Sequence, residues 1–308
     1  MGGGQGNGHG GHVAPVTGAG QGLGARTAAL LAERGFSVAL LDVDAAALES
    51  SAAACGPLGM AIECNVADSS SVERAVAQSV ARFGGIDVVV ANAGIGTFST
   101  LRYTDPEVFA AAVAVNLTGS FRTIHAALPH LIERRGYVMA VSSLAAILAP
   151  LGMGAYAASK AGVEQMANGL RMEVAHLGVD VGVAYLSCVA TAMVEGTERE
   201  HPGFARMRSG LRGPPAKTVS VDVAARAPVN GIERRARRVS VPRFVAALFH
   251  LRGLVGRAAE RDFRVMAEDV DALCAQRVAE RGAFASAVRA GAAREFAARS
   301  AQVDQPRA

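Results

Sequence analysis

Tyr156 and Lys160 are the residues whose types and spacing most directly suggest chemistry in this sequence. In the segment Tyr156-Ala-Ala-Ser-Lys160 the two side chains stand four positions apart, which places them on one face of a helix. A phenol has a pKa of about 10, and an ammonium group one turn away lowers that pKa by favouring the phenolate. Such a pair would exchange a proton with a substrate hydroxyl near neutral pH. The same spacing also occurs in helices without a catalytic role, but Lys160 is one of only two lysines in the chain, the other being Lys217.

A glycine-rich turn, Thr17-Gly-Ala-Gly-Gln-Gly-Leu-Gly24, suggests a nucleotide site. Glycines between a strand and a helix permit close approach of the backbone to a pyrophosphate at the helix N-terminus. Asp42 ends the second predicted strand, where a carboxylate would accept hydrogen bonds from the adenosine ribose; a plain polar strand end is the alternative. A carboxylate would also repel a 2′-phosphate, and no Arg or Lys adjoins Asp42 or precedes Gly22. NAD is therefore favoured over NADP as the cofactor.

The elements that must position these residues alternate along the chain from residue 13 to about residue 190. Short apolar runs alternate with segments of helical periodicity, which is typical of βαβ units around a parallel sheet. The predicted strands are residues 13–17, 37–42, 60–65, 87–92, 137–142 and 179–186, and the predicted helices are 25–34, 44–54, 70–83, 106–134 and 156–176. Short connections favour right-handed crossovers with helices on both faces. The predicted fold class is α/β, a doubly wound Rossmann-type parallel sheet.

The pattern changes after residue 193. Residues 195–217 are rich in Gly, Pro and Arg and have no clear period, so they are interpreted as a mobile loop with room for short helices. A helix over 221–238, a short strand over 239–242 and a helical pattern over 244–299 follow. The sequence thus predicts a flexible Gly-rich tail (1–12), a dinucleotide-binding catalytic domain (13–243) and a helical C-terminal extension (244–308).

Together these residues resemble the short-chain dehydrogenase/reductase family over about residues 13–193. The resemblance rests on motifs in the family's order: Thr17-Gly18-x-x-x-Gly22-x-Gly24, Asn92-Ala-Gly94, Val115-Asn116-Leu-Thr-Gly119, Ser142-Ser143 and Tyr156-x-x-x-Lys160. It implies an NAD-dependent oxidoreductase that interconverts an alcohol and a ketone. The family's catalytic serine stands thirteen residues before the tyrosine, which selects Ser143 over Ser142.

The resemblance also implies a role for each matched residue. Tyr156 would be the acid/base, and Lys160 would lower its pKa and hold the nicotinamide ribose. Ser143 would hydrogen-bond the reacting oxygen and Asn116 would hold a water in the proton relay; alone, Ser143 could merely cap a strand and Asn116 merely kink its helix. The implied cofactor-binding residues are Gly18, Gln21, Gly22, Leu23, Gly24, Asp42, Val43, Asn65, Val66, Asn92, Ala93, Gly94, Tyr156, Lys160, Val189, Thr191 and Met193.

Two segments depart from the family pattern. Asn65 stands where the family often has Asp, although it could still contact adenine. Leu186 and Ser187 replace a usual Pro-Gly pair, while Thr191 keeps the position that contacts the nicotinamide carboxamide. Cys188 would lie near the nicotinamide, where we expect it to pack and not to react.

Composition limits the other possibilities. The chain is 51% hydrophobic and 19% charged, yet no apolar run approaches the roughly 20 residues of a membrane-spanning helix. The start of the chain lacks the features of a secretory signal, and its four cysteines lie far apart, so we expect a cytoplasmic protein without a metal site or disulfides. A net charge of +4 and the basic run at 234–238, without a recognition motif, do not support a nucleic-acid partner.

The expected substrate is a lipophilic small molecule such as a steroid, terpenoid, polyketide or fatty intermediate, because apolar residues lie on its approach. These are Leu144, Ile147, Leu148, Leu151 and Met153. The predicted substrate loop, 194–217, is basic through Arg199, His201, Arg206, Arg208, Arg212 and Lys217. It would either receive a substrate carboxylate or phosphate or, as the sequence favours, be a solvated basic loop.

The C-terminal extension carries a predicted apolar helical face of Phe244, Leu248, Leu251, Leu254 and Val255. This face would cover the substrate site, pack on a subunit, or lie on a membrane surface; packing on the chain's own core or a partner subunit is favoured over membrane contact. The resemblance implies a homodimer or homotetramer. A non-catalytic NAD-binding regulator and a membrane-peripheral assembly protein remain alternatives, disfavoured because all four catalytic positions are filled.

Overall fold

The fold is a seven-stranded parallel sheet with helices on both faces, seen in a computed structural model that describes residues 11–211 and 213–282. The strands are β1 (Val13–Thr17), β2 (Ser37–Asp42), β3 (Gly59–Glu63), β4 (Val88–Ala91), β5 (Tyr137–Val141), β6 (Asp180–Leu186) and β7 (Arg238–Val241). Their order in the sheet is β3-β2-β1-β4-β5-β6-β7. The strand order reverses between β1 and β4, so the crevice outside their carboxyl ends is where this architecture binds ligands. The predicted fold class is confirmed.

Helices cover the sheet as the predicted alternation requires. They are α1 (Gly22–Glu33), α2 (Ala45–Ala54), α3 (Ser69–Phe83), α4 (Pro106–Ala112), α5 (Gly119–Arg134), α6 (Gly154–Val174), α7 (Ala192–Glu200), α8 (Pro202–Gly210), α9 (Val221–Glu233), α10 (Phe244–His250), α11 (Arg252–Arg264) and α12 (Ala267–Arg281). One apolar core joins α1 and α9 to one face of the sheet, and a second joins α3, α5 and α6 to the other. Strands buried on both faces explain the near-continuous apolar runs of the sequence.

The helix predicted over 106–134 is wrong in one respect. A π-helical segment, Val113–Thr118, separates α4 from α5. The buried Asn116 side chain within this segment forms hydrogen bonds with the Ile95 backbone on a neighbouring loop. Gly119 follows the segment at a position where a Cβ would collide with Val66. Such π-helical turns are frequent at functional sites.

The region after β6 is more helical than a loop. The segment interpreted as a mobile loop with room for short helices forms two consecutive nine-residue helices, α7 and α8, which we call the lid helices. The helix predicted over 221–238 ends at Glu233, because Arg235 adopts a left-handed conformation (φ 49°) and turns the chain into β7. Arg212 and the tail residues 1–10 lie outside the described residues.

The C-terminal extension packs on the chain itself. Phe204 and Met207 of α8 form a third apolar cluster with Met266, Val270 and Cys274 of the extension. The predicted apolar face is formed only in part: Phe244 packs against the second core and Leu248 is half-buried, whereas Leu251 and Leu254 are exposed. The α10 side chain that is fully buried is Val245. The side chain of Val255 and residues 283–308 lie outside the described part. Within that part, no helix combines the length and apolar character needed to cross a membrane.

Candidate active site

A continuous cavity of about 1100 Å³ lies at the carboxyl ends of the strands, beneath the lid helices. The glycine-rich turn after β1 and the Asn92-Ala-Gly94 turn after β4 meet at one end of it. Every predicted site residue except Asn116 lines this cavity, and the members at the predicted cofactor end are Gly18, Gln21, Gly22, Leu23, Gly24, Asp42, Val43, Asn65, Val66, Asn92, Ala93 and Gly94. The fold therefore brings together residues spread over most of the predicted catalytic domain.

The conformation and close packing of the glycine-rich turn leave no room for side chains at two of its positions. Gly18 has a φ of +67° and lies against Ala93, and a Cβ on Gly24 would collide with the Gly18 carbonyl oxygen. The Asn92 amide fixes this turn to β4 by donating to the Thr17 carbonyl oxygen at 2.9 Å. The first turn of α1 has no side-chain cap, so its backbone N–H groups face the cavity end without an internal acceptor. This arrangement fits a pyrophosphate.

Asp42 has a structural contact as well as a position on the cavity wall. Its carboxylate accepts a hydrogen bond from the Gly20 backbone N–H at 2.9 Å, which holds the glycine turn against β2. Asp68, two residues beyond Val66, also lines this end; its pKa is lowered chiefly by the hydrogen bond from Ser70. Two carboxylates therefore face the cavity here, and among the described lining residues no Arg or Lys does so at this end.

Tyr156, Ser143 and Lys160 converge at the middle of the cavity. Tyr156 lies in the first turn of α6, and the Lys160 ammonium group lies 5.9 Å from its ring centroid while donating to the Val141 carbonyl oxygen at 2.9 Å. Ser143 caps the turn after β5, with its hydroxyl accepting from the Ala145 N–H at 3.1 Å. In contrast, the buried Ser142 hydroxyl donates to the Lys160 carbonyl oxygen, which supports the choice of Ser143 as the reacting serine.

The protein environment sets the charge states of the two α6 side chains. Burial raises the pKa of the Tyr156 phenol, and hydrogen bonding by Ser143 only partly opposes that rise. The direction is opposite to the lowering expected from the sequence. Lys160 is 4% exposed, and burial lowers its pKa to about 8. At neutral pH these surroundings hold Tyr156 as a phenol, the form that donates a proton.

Asn116 is the one predicted site residue that does not line the cavity. Its amide donates to the Ile95 carbonyl oxygen at 3.0 Å and to the Ser159 hydroxyl at 2.9 Å, and its oxygen accepts from the Ile95 N–H at 2.7 Å. The side chain thus ties the π segment and α6 to the loop after β4. Sequence reasoning missed Ser159, although its place beside Lys160 in the Tyr156 segment was a usable signal. The relay water predicted for Asn116 remains a prediction.

The far end of the cavity lies under the lid and is largely apolar. Leu144, Leu148 and Met153 line it as expected, whereas Ile147 and Leu151 pack into the cores instead. Val189, Thr191 and Met193 lead from β6 into the lid along the same wall. Residues that the sequence did not single out as ligand contacts also line this end, among them Phe204, Met207 and Leu211 near the lid and Phe263 of the C-terminal extension. Cys188, for which packing was expected, lines it too, as does Arg208 of α8, a member of the predicted basic loop.

Comparison with known proteins bears on the whole site. A sequence profile described as short chain dehydrogenase matches residues 12–202. An uncharacterised NAD-dependent oxidoreductase of Mycobacterium tuberculosis is 33% identical over 217 residues, covering 63% of this chain and 79% of that protein. A 3-oxoacyl-[acyl-carrier-protein] reductase of Vibrio cholerae is 33% identical, covering 68% of this chain and 87% of its own. The 3-ketoacyl-(acyl-carrier-protein) reductase of Brucella melitensis, solved with NADH, superposes with a TM-score of 0.67 at 25% identity, covering 75% and 96% of the two chains.

Proposed function

We propose that this chain, which belongs to the short-chain dehydrogenase family and is an NAD-dependent oxidoreductase, interconverts a secondary alcohol and a ketone on a lipophilic small molecule, with Tyr156 as acid/base. The observation that carries the proposal is the convergence of Tyr156, Ser143 and Lys160 in one cavity beside the glycine-rich turn. A regulator that only bound the cofactor would have no need of this group.

The protein residues supply proton transfer and orientation. Ser143 and Tyr156 would hold the substrate oxygen between their hydroxyl groups, and the phenol of Tyr156 would donate its proton to that oxygen in the reductive direction. Lys160 lies within α6 one turn away, where its charge would favour the phenolate left behind. Asn116 would act indirectly, by holding the loop after β4 and helix α6 in place. The nicotinamide, when bound, supplies the hydride chemistry.

NAD fits the residues of the cofactor end. The glycine turn leaves no room for a Cβ at Gly24, and the uncapped first turn of α1 offers N–H groups to a pyrophosphate. The Asp42 and Asp68 carboxylates would repel the additional phosphate of NADP. The names of the relatives agree with this choice: the Mycobacterium protein is called NAD-dependent, and the Brucella structure contains NADH.

The substrate end supports a lipophilic ligand. Leu144, Leu148 and Met153 form one side, and Phe204 and Phe263 approach from the lid and the extension. Apolar walls with a few placed polar groups are the usual composition of small-molecule sites. We further propose a cytoplasmic homodimer or homotetramer, as the family resemblance implies.

The test is cofactor binding and turnover with two tyrosine variants. We expect calorimetry to show tighter binding of NADH than of NADPH, and absorbance of the reduced cofactor to report turnover of a panel of lipophilic ketones. Tyr156→Phe should abolish turnover and keep NADH binding. Tyr185→Phe is the matched control, because this buried phenol lies away from the cavity and its hydroxyl has no hydrogen-bond partner among the described residues. Equal turnover by the Tyr156→Phe enzyme would refute the assignment.

A further inference from the structure

The charged side chains that line the cavity are divided between its two ends. Among the described lining residues, the carboxylates are Asp42 and Asp68 at the cofactor end, and the cations are Lys160 at the centre and Arg208 under the lid. No carboxylate lines the substrate end in this part of the chain. The substrate end therefore presents positive charge in an otherwise apolar enclosure, where charges interact strongly.

Arg208 is the basic lid residue that reaches the cavity. Its side chain is 16% exposed, whereas Arg199 and Lys217 are exposed and do not line the cavity. Arg206 points elsewhere and donates twice to the Asp269 carboxylate, at 3.0 and 2.8 Å. The structure thus directs one arginine of the predicted basic loop into the cavity, while Arg199, Arg206 and Lys217 point away from it.

The charge of Arg208 is only partly compensated within the described structure. One guanidinium nitrogen contacts the Cys188 sulfur and another donates to the Thr218 hydroxyl at 3.0 Å. Burial raises the pKa of the Cys188 thiol, so the sulfur stays neutral and is a weak acceptor. The Glu198 carboxylate lies 3.6 Å away, beyond the 2.7–2.9 Å of a strong charge-assisted hydrogen bond, and it is half exposed.

The position of Arg208 relates it to the reacting centre. Cys188, which it contacts, lies on the loop after β6 and lines the same cavity as Tyr156 and Ser143. A group held by Arg208 would therefore be near the carbonyl held by Tyr156 and Ser143. Leu211, Met207 and Phe263 line the cavity on the same side and would contact the apolar remainder of the ligand.

We propose that Arg208 is a specificity-determining residue that binds a carboxylate on the substrate, a few bonds from the reacting carbonyl, so that the preferred substrates are lipophilic hydroxy or oxo acids. This inference rests on the proposed function and assigns the substrate class to the same site. One guanidinium that shares its charge with Glu198 matches a monoanion better than a phosphate dianion.

The test uses a probe whose binding does not require turnover. Decanoate and decanamide differ in charge but little in size, and each is titrated by calorimetry into the full-length protein saturated with NADH. A charge-assisted hydrogen bond in this setting corresponds to roughly ten- to hundredfold in affinity. We expect wild type to bind decanoate at least about tenfold more tightly than decanamide. Arg208→Gln should reduce the difference to about twofold by weakening decanoate. Arg208→Lys should keep part of the preference, and the control Lys217→Gln should keep all of it.

Three results would overturn the inference. Decanoate binding no better than decanamide, or not at all, would show that the site does not select a carboxylate. A preference that survives Arg208→Gln would place the carboxylate elsewhere. A loss of NADH affinity in Arg208→Gln, with both probes weakened equally, would assign Arg208 to the cofactor or to lid structure. Failure of wild type to bind NADH would instead refute the proposed function, so the two failures are distinguishable.

Discussion

Acid should weaken the packing of the lid on the C-terminal extension through one buried histidine. His201 joins the two lid helices, is 1% exposed, and lies edge-on to Phe98 with ring centroids 6.0 Å apart. Neither of its ring nitrogens has a hydrogen-bond partner among the described residues. Its pKa is lowered from 6.5 to about 4, first by burial and further by the charges of Arg277 and Arg281 on α12, which oppose an additional positive charge there.

The sign and size of the effect follow from linkage. The folded-state pKa of His201 lies below the unfolded value, so the unfolded chain binds more protons between pH 6.5 and pH 4, and stability is lost as the pH falls through this window. With these two pKa values, the free energy of unfolding should fall by about 2 kcal/mol between pH 7 and pH 5 through this group alone.

The assay is urea unfolding followed by far-UV circular dichroism, since the chain has no tryptophan. His201→Leu should be no less stable than wild type at pH 7, because it removes two unpartnered nitrogens, and it should lose about 2 kcal/mol less on going to pH 5. His176→Leu, at an exposed position, is the control and should follow wild type. If His201→Leu and wild type lose equal stability between pH 7 and pH 5, the reasoning is wrong.

Three further outcomes are expected. Gly24→Ala should weaken NADH binding about tenfold or more in calorimetry, because the added Cβ collides with the Gly18 backbone in the glycine-rich turn. Unchanged affinity would mean that this turn does not bind the cofactor. Arg252→Gln should lower the free energy of unfolding by about 1–3 kcal/mol, because it removes the guanidinium that lies 3.2 Å from the buried Glu164 carboxylate. In a double-mutant cycle measured by urea unfolding, adding Glu164→Gln should restore most of that loss. Ketone reduction should decline above about pH 8, as Lys160 loses its charge and Tyr156 its neighbouring cation, so a flat rate from pH 6 to pH 9 would contradict their coupling.

The sheet could be predicted from the sequence because its signals are local. Each strand up to β6 is a short apolar run with glycine or polar residues at its ends, and the observed bounds differ from the predicted ones by at most two residues. The lid helices could not be predicted in this way. Phe204 and Met207 gain their apolar surroundings from Val270 and Cys274, which lie more than sixty positions later in the chain. The local pattern of this Gly- and Arg-rich segment therefore predicts a loop, because the contact that stabilises the helices is not local.

The same distinction applies to the site. The spacing between Tyr156 and Lys160 lies within one helix, and Gly18 to Gly24 lies within one turn, so both are visible in the sequence. Arg208 is not distinguishable there from Arg206, two positions away. What separates them is the partner that each finds after folding: Asp269 for Arg206, and the cavity wall with Cys188 for Arg208.

The substrate cannot be carried over from the relatives, because part of the substrate end of the cavity lies outside the family profile. The family profile ends at residue 202 and contains the glycine-rich turn and the proposed reacting residues. Arg208 and Phe263 lie beyond it, on α8 and on the C-terminal extension. Because α12 packs directly on α8, the extension also fixes the position of the lid helix that carries Arg208. Membership in the family therefore accounts for an NAD-dependent oxidoreductase, whereas we expect the choice of substrate to depend on how this extension holds the lid.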